Sequence, residues 1–123
     1  SSLIGVMAQR LVRVLCVRCR EARPLSAAEA DLLGAGADAA GREVYHPVGC
    51  DHCNRTGYRG RAGIYELIEI RDDLRAMIHE GASEQDMLRE ARRHHASIQD
   101  DGRQRVLSGQ TSLEEVMRVT SLL

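Results

Sequence analysis

The sequence predicts an α+β fold, mostly helical: a tetracysteine zinc-knuckle module with a small β-hairpin, followed by a C-terminal helical bundle. Three observations carry this expectation. The four cysteines of the chain form two C-x-x-C pairs, Cys16/Cys19 and Cys50/Cys53. Residues 64–70, Ile-Tyr-Glu-Leu-Ile-Glu-Ile, are the strongest strand signal, rich in β-branched side chains. Beyond residue 72, glycines followed two residues later by Ser or Thr recur, each marking the end of one helix and the cap of the next.

Taken in order, Leu3, Met7, Leu11 and Val14/Leu15 recur at helical spacing, so residues 2–15 are expected to form an amphipathic helix running into the first cysteine pair. Ser26-Ala-Ala-Glu29 is a capping box that opens a short helix, which Gly34 ends. Gly34, Gly36 and Gly41, interspersed with alanines, predict a weak, mobile loop. Val44–Val48 reads as a short strand, and Gly49, Gly57, Gly60 and Gly63 separate it from residues 64–70 as turns would. Leu74, Met77 and Ile78 suggest a helix stopped by Gly81. Ser83 with Asp86, and Thr111 with Glu114, then cap two further helices. These place Met87, Leu88 and Ala91, and Leu113, Val116, Met117 and Thr120, inward, with a helix over about 99–108 between them.

Composition narrows the function. The chain has 123 residues, no Phe or Trp and three Tyr, so Leu, Val, Ile, Met and Ala must fill a thin core, and a cross-link has structural value. Every basic residue other than His is Arg, a bias that lowers the weight of any arginine run. A formal charge of −1 gives no reason to expect a general nucleic-acid or membrane-surface binder. No signal peptide or membrane-spanning apolar run is apparent, and the opening on a helical pattern is what a piece of a longer protein would show.

The cysteine spacing points to metal. Two residues between cysteines let a tight turn aim both sulfurs at one ion, and two such turns complete a tetrahedron for Zn²⁺. Cys16, Cys19, Cys50 and Cys53 are therefore the candidate ligands of a structural zinc. Arg18, Arg20 and Arg55 stand near enough in sequence to offset the site's negative charge, although ordinary surface placement is as good a reading of them. His46 and His52 could substitute as donors, but four cysteines already fill the shell and ordinary surface histidines fit better. A dithiol redox protein is the competing reading. It fits poorly, because Cys16 would sit at a helix C-terminus, where the dipole disfavours a thiolate. A zinc-ribbon nucleic-acid module is the other, opposed by the acidic balance and the scarcity of aromatics.

Cys50-Asp-His-Cys-Asn-Arg-Thr-Gly57-Tyr-Arg-Gly60-Arg61-Ala-Gly63-Ile-Tyr-Glu66, together with Ala8-Gln-Arg10-Leu-Val-Arg13 leading into Cys16, closely resembles the C-terminal region of the type II secretion ATPases. The type IV pilus assembly ATPases are close relatives of these. Val17 stands where that family often has Pro. The resemblance implies a cytoplasmic homo-hexameric motor, held peripherally at the inner membrane by secretion-platform proteins, that powers pseudopilus assembly and protein export. It divides the chain into 1–15, the end of a motor-core helix; 16–61, the zinc module; and 62–123, a C-terminal strand and helical subdomain. No G-x-x-x-x-G-K-[ST] loop is present, so ATP and Mg²⁺ belong to the full-length parent and this chain alone is expected to be inactive. Arg61, and less strongly Arg10, are implied to lie near the nucleotide in the complete motor. The structural alternative is that Arg61 pairs with a local acid such as Glu66.

Overall fold

A computed structural model describes residues 3–70, 72–94 and 97–120, the side chains of Leu3, Ile4, Val6, Met7, Ala37 and His94 excepted. The fold is α+β. Its spine is a two-stranded antiparallel ribbon of β1 (Leu3–Leu15) and β4 (Tyr58–Ile70). Between them the chain makes a second, shorter ribbon, β2 (Glu21–Pro24) against β3 (Glu43–His46), with α1 (Ala27–Leu33) in the connection. Four helices follow: α2 (Asp72–His79), α3 (Glu84–His94), α4 (Ile98–Leu107) and α5 (Leu113–Thr120).

The helix expected over residues 2–15 is strand β1. Leu11, placed on the buried stripe by the helical reading, is 49% exposed, while its neighbour Val12 is fully buried. The imitation has a cause. Half-buried Ala8 and buried Val12 and Leu15 fall four and three residues apart, but Val12 packs in the main core and Leu15 is buried outside it. The expected side-chain positions of Leu3 and Met7 lie outside the described residues. The strands at 43–46 and 58–70 both exist, yet they pair with β2 and β1 rather than with each other. Gly60 and Gly63 therefore lie within β4. Gly60 has φ +84° and is the extra residue of β4 where the register slips between Arg13 and Leu15, a bulge that an L side chain would strain.

One core spans the chain. Val12 and Ile64 from the ribbon pack with Leu25, Ala30, Leu33, Ala39 and Val44 from the insert and with Ile98, Val106, Leu113 and Val116 from α4 and α5. Ala39, in the stretch expected to be a mobile loop, is buried in a short 3₁₀ turn at Ala37–Ala39. A smaller cluster of Ile68, Leu74 and Ala91 holds α2 and α3 to the end of β4.

Capping follows the expected chemistry with one shift. Ser26/Glu29 forms the reciprocal capping box, and Ser97/Asp100 forms another at the start of α4. The Ser83 hydroxyl accepts from the Asp86 N–H at 3.1 Å. For α5 the cap is Ser112, whose Oγ accepts from the Glu115 N–H at 3.2 Å, whereas Thr111 donates its hydroxyl to the Arg13 carbonyl. Among the described residues, no helix is long and apolar enough to cross a membrane.

Candidate metal centre

The β1/β4 pairing answers how cysteines more than thirty positions apart meet. Cys16 follows directly on β1 and Cys53 lies five residues before β4, so the ribbon brings both C-x-x-C turns to its end. Each turn folds over its first carbonyl. Cys19 and Arg20 donate N–H to the Cys16 oxygen, and Cys53 and Arg55 donate to the Cys50 oxygen. A Cys16 N–H to Gly57 carbonyl bond of 2.9 Å ties one turn to the other. Gly57 is required there: its φ is +84°, and a Cβ would lie 2.5 Å from that of Pro47.

The four sulfurs lie within 4.8 Å of one another. Cys16–Cys50, Cys19–Cys53 and Cys50–Cys53 are each separated by 3.8 Å. That separation is far beyond the disulfide length of about 2.05 Å. It matches the edge of about 3.8 Å of a tetrahedron of sulfurs around an ion with bonds of about 2.3 Å. The donor set therefore fits a metal ion. Backbone N–H groups of Gly49, Cys50 and Gly57 point at the sulfurs of Cys19, Cys53 and Cys53 at 3.2–3.3 Å, as thiolate acceptors require. Burial pushes the Cys53 thiol up, but the N–H groups of Cys50 and Gly57 outweigh it and bring its pKa to about 6. Burial pushes Cys19 up to about 11, against the opposing Gly49 N–H and with the other cysteines adding to the rise. Without a cation between them, four such close thiols resist joint ionisation.

Cys16 ends a strand, so the helix-dipole argument against redox chemistry does not apply to it. The four-way sulfur packing and its N–H donors make the metal case instead. Among the described residues, none of the arginines near the cysteines donates to a sulfur. Arg20 stacks 4.1 Å from the Tyr45 ring and donates to the Gly109 carbonyl at 2.7 Å, clamping the module to the α4–α5 turn. Arg55 pairs with Asp51 at 2.9 Å. His52 lies against Arg59, and its burial, with Arg18 and Arg59 nearby, lowers its pKa; His46 faces Glu114 at 3.7 Å. Neither histidine belongs to the sulfur cluster.

Arg61 sits on the outer face of β4, directly opposite Arg13. It does not pair with Glu66. That carboxylate is buried, accepting instead from Arg92 Nε at 3.0 Å and from the Ile98 N–H at 3.2 Å. Arg10 is paired across the ribbon with inward-facing Ile64, so by strand alternation it lies on the opposite face from Arg61. Sequence reasoning missed Glu115. Its buried carboxylate accepts from Arg13 N, Nε and Nη2 and from Arg118 Nε and Nη2 at 2.8–3.1 Å. No sequence signal beyond an acid in the first turn of α5 pointed to it.

A family model described as "Type II/IV secretion system protein" matches residues 1–118. The chain belongs to that family. It is 52% identical over 121 residues to a protein of Pseudomonas aeruginosa named type II secretion system protein E, and 51% identical to one of the same name from Aeromonas hydrophila. A Vibrio cholerae relative, type II secretion system ATPase E, is 47% identical over 123 residues. Each comparison covers 98% of this chain but only 24% of the relative, so the chain spans about a quarter of the length of these proteins.

Proposed function

We propose that this chain is the zinc-stabilised C-terminal part of a type II secretion ATPase, serving its motor as a structural and interaction module. The observation that carries the metal reading is the set of three sulfur–sulfur separations of 3.8 Å, the spacing four thiolates adopt around Zn²⁺. Cys16, Cys19, Cys50 and Cys53 all bind as thiolates and close the coordination shell, which leaves the zinc no open position for catalysis. The name of the Vibrio cholerae relative supports the ATPase reading. ATP and Mg²⁺ are handled by sequence upstream of this segment. The complete protein works in the cytoplasm as a homo-hexamer, held at the inner membrane by secretion-platform proteins, and its ATP hydrolysis drives pseudopilus assembly. In that hexamer Arg61 stands near the nucleotide. Arg10 is the weaker candidate, since one bound nucleotide has to reach around the ribbon to touch both. An Arg61→Ala full-length motor with unchanged kcat and nucleotide affinity would remove Arg61 from that role.

Two measurements on the purified chain test the proposal. Elemental analysis is expected to give about one zinc per chain with no reactive thiols, and ATP incubation is expected to release no phosphate above a protein-free blank. Reactive thiols without metal would instead favour a redox dithiol.

A further inference from the structure

We propose, building on the zinc reading above, that Cys50 is a modification site for hydroperoxides: a two-electron oxidant attacks its thiolate first, and Cys16 then closes a disulfide on it. The four sulfurs are not equivalent. Cys53 accepts two backbone N–H groups, from Cys50 and Gly57, and Cys19 accepts one from Gly49. Among the described residues, no backbone N–H donates to the sulfur of Cys16 or Cys50. An N–H donor draws charge from a thiolate and damps its reactivity. Access then separates the two bare sulfurs: Cys16 is 1% exposed, whereas Cys50 is half-buried. Cys50 therefore combines access with an undamped thiolate, the two properties that select a cysteine for oxidation. Charge acts in the same direction. Four thiolates around Zn²⁺ carry a net charge of about −2. Arg20 and Arg55 give their guanidiniums to the Gly109 carbonyl and to Asp51, so the excess stays on the sulfurs.

The chemistry balances with the peroxide as oxidant. The Cys50 thiolate attacks one peroxide oxygen, the O–O bond breaks, and hydroxide leaves a sulfenic acid at Cys50. The Cys16 thiolate, 3.8 Å away, then attacks that sulfur and expels the second oxygen as hydroxide. Two thiolates lose two electrons, and the peroxide is reduced to two hydroxides. Cys53 is equally close to Cys50, at 3.8 Å, but two N–H groups hold its sulfur where it is. Cys16 has no such donor to give up. The bridge joins the end of β1 to the second cysteine turn and leaves two thiolates, too few for a structural zinc site. Oxidation thus unloads the module while keeping its two turns tied, and thiol reductants reverse it. A loaded chain has no free thiol, so this reactivity belongs to a metal-bound thiolate and differs from that of a redox dithiol.

The test exposes the zinc-loaded chain to one equivalent of hydrogen peroxide beside a chromogenic zinc indicator. Free thiols are then alkylated and the unreduced protein is digested with trypsin. Release of about one zinc per chain is expected, with a disulfide joining peptides 14–18 and 43–55 through Cys16 and Cys50. Fragmentation of the linked peptide distinguishes Cys50 from Cys53. Cys50→His and Cys19→His each keep three thiolates and an imidazole, a set that zinc accepts, and they carry the same charge. Release from Cys50→His is expected to be at least about tenfold slower than from Cys19→His, which retains Cys50. Any other disulfide pairing, equal rates in the two variants, or zinc that peroxide does not release from wild type overturns the proposal. The wild-type peptide map decides the pairing even where a variant does not load. A chain that holds no zinc before peroxide is added fails the metal reading itself, and this proposal with it.

Discussion

Glu115 shows how much one side chain can organise. It caps the Arg13 N–H on the edge of β1 and fixes two guanidiniums, all from the first turn of α5. Burial pushes its pKa up, but hydrogen bonds from Arg118 and Arg13 outweigh this and hold it at about 2, below its ordinary 4.5. A carboxyl whose folded pKa is depressed adds stability that is complete above its unfolded pKa and is lost as pH falls through the folded value. Glu115→Gln is therefore expected to cost about 3 kcal/mol at pH 7, because two arginines lose a buried partner. The difference between wild type and variant should hold down to about pH 4.5 and shrink between 4.5 and 2, as urea midpoints across that range would show. Acid effects elsewhere in the chain act on both proteins alike, so their difference is the readout. A gap undiminished near pH 2 would mean that the carboxylate charge is not what Glu115 contributes.

Elements differ in how plainly the sequence announces them, and the difference is physical. Two helix starts were legible because caps act locally: Ser26 and Ser83 each accept from an N–H three residues on. Ser97 does the same for α4, a cap the sequence reading passed over. At Thr111-Ser112 two adjacent hydroxyls compete, and the choice depends on the distant Arg13 carbonyl, which claims Thr111. Strand β1 was illegible because it is buried unevenly, with core on one side and the cysteine module at its end, so its apolar spacing mimics a helix. Ribbon β2/β3 was half hidden, since Glu21–Pro24 is exposed throughout and carries no alternation. The four cysteines were legible from spacing alone. The Glu115–Arg13 pair depends on a contact across about a hundred residues, which no local pattern records. Gly102 sits between these cases. Within α4 it reads as a weak helix position, yet an added Cβ would lie 2.7 Å from Val116 Cγ1 and 3.6 Å from Ile64 Cδ1. Helix propensity alone favours Gly102→Ala by about 1 kcal/mol, while overpacking costs about 1–3 kcal/mol. Net destabilisation by thermal or urea unfolding is expected, with partial recovery when Val116→Ala is added. A stabilised single variant would show that the α4–α5 crossing relaxes freely.

At the scale of the whole molecule, the four-cysteine cluster and the core are one system with a smaller neighbour. Structural zinc contributes roughly 10–16 kcal/mol of apparent binding energy, as much as the entire stability of a typical domain. The cysteine turns anchor an insert whose Leu25, Ala30, Leu33 and Val44 share the main core with α4 and α5. Arg20 and Tyr58 add polar ties to Gly109 and Ser112. Releasing the ion should therefore loosen more than residues 16–61: the faces of α4 and α5 that those apolar residues cover should open as well. The cluster of Ile68, Leu74 and Ala91 shares no buried residue with the module, so α2 and α3 have no direct reason to respond. Hydrogen exchange before and after chelation is the discriminating measurement. Amide protection should fall in the 16–61 segment and in α4 and α5, while exchange across residues 72–94 stays close to its starting rate. Full protection between the two cysteine pairs, in a sample verified as metal-free, would show that the apolar core alone holds the module in place.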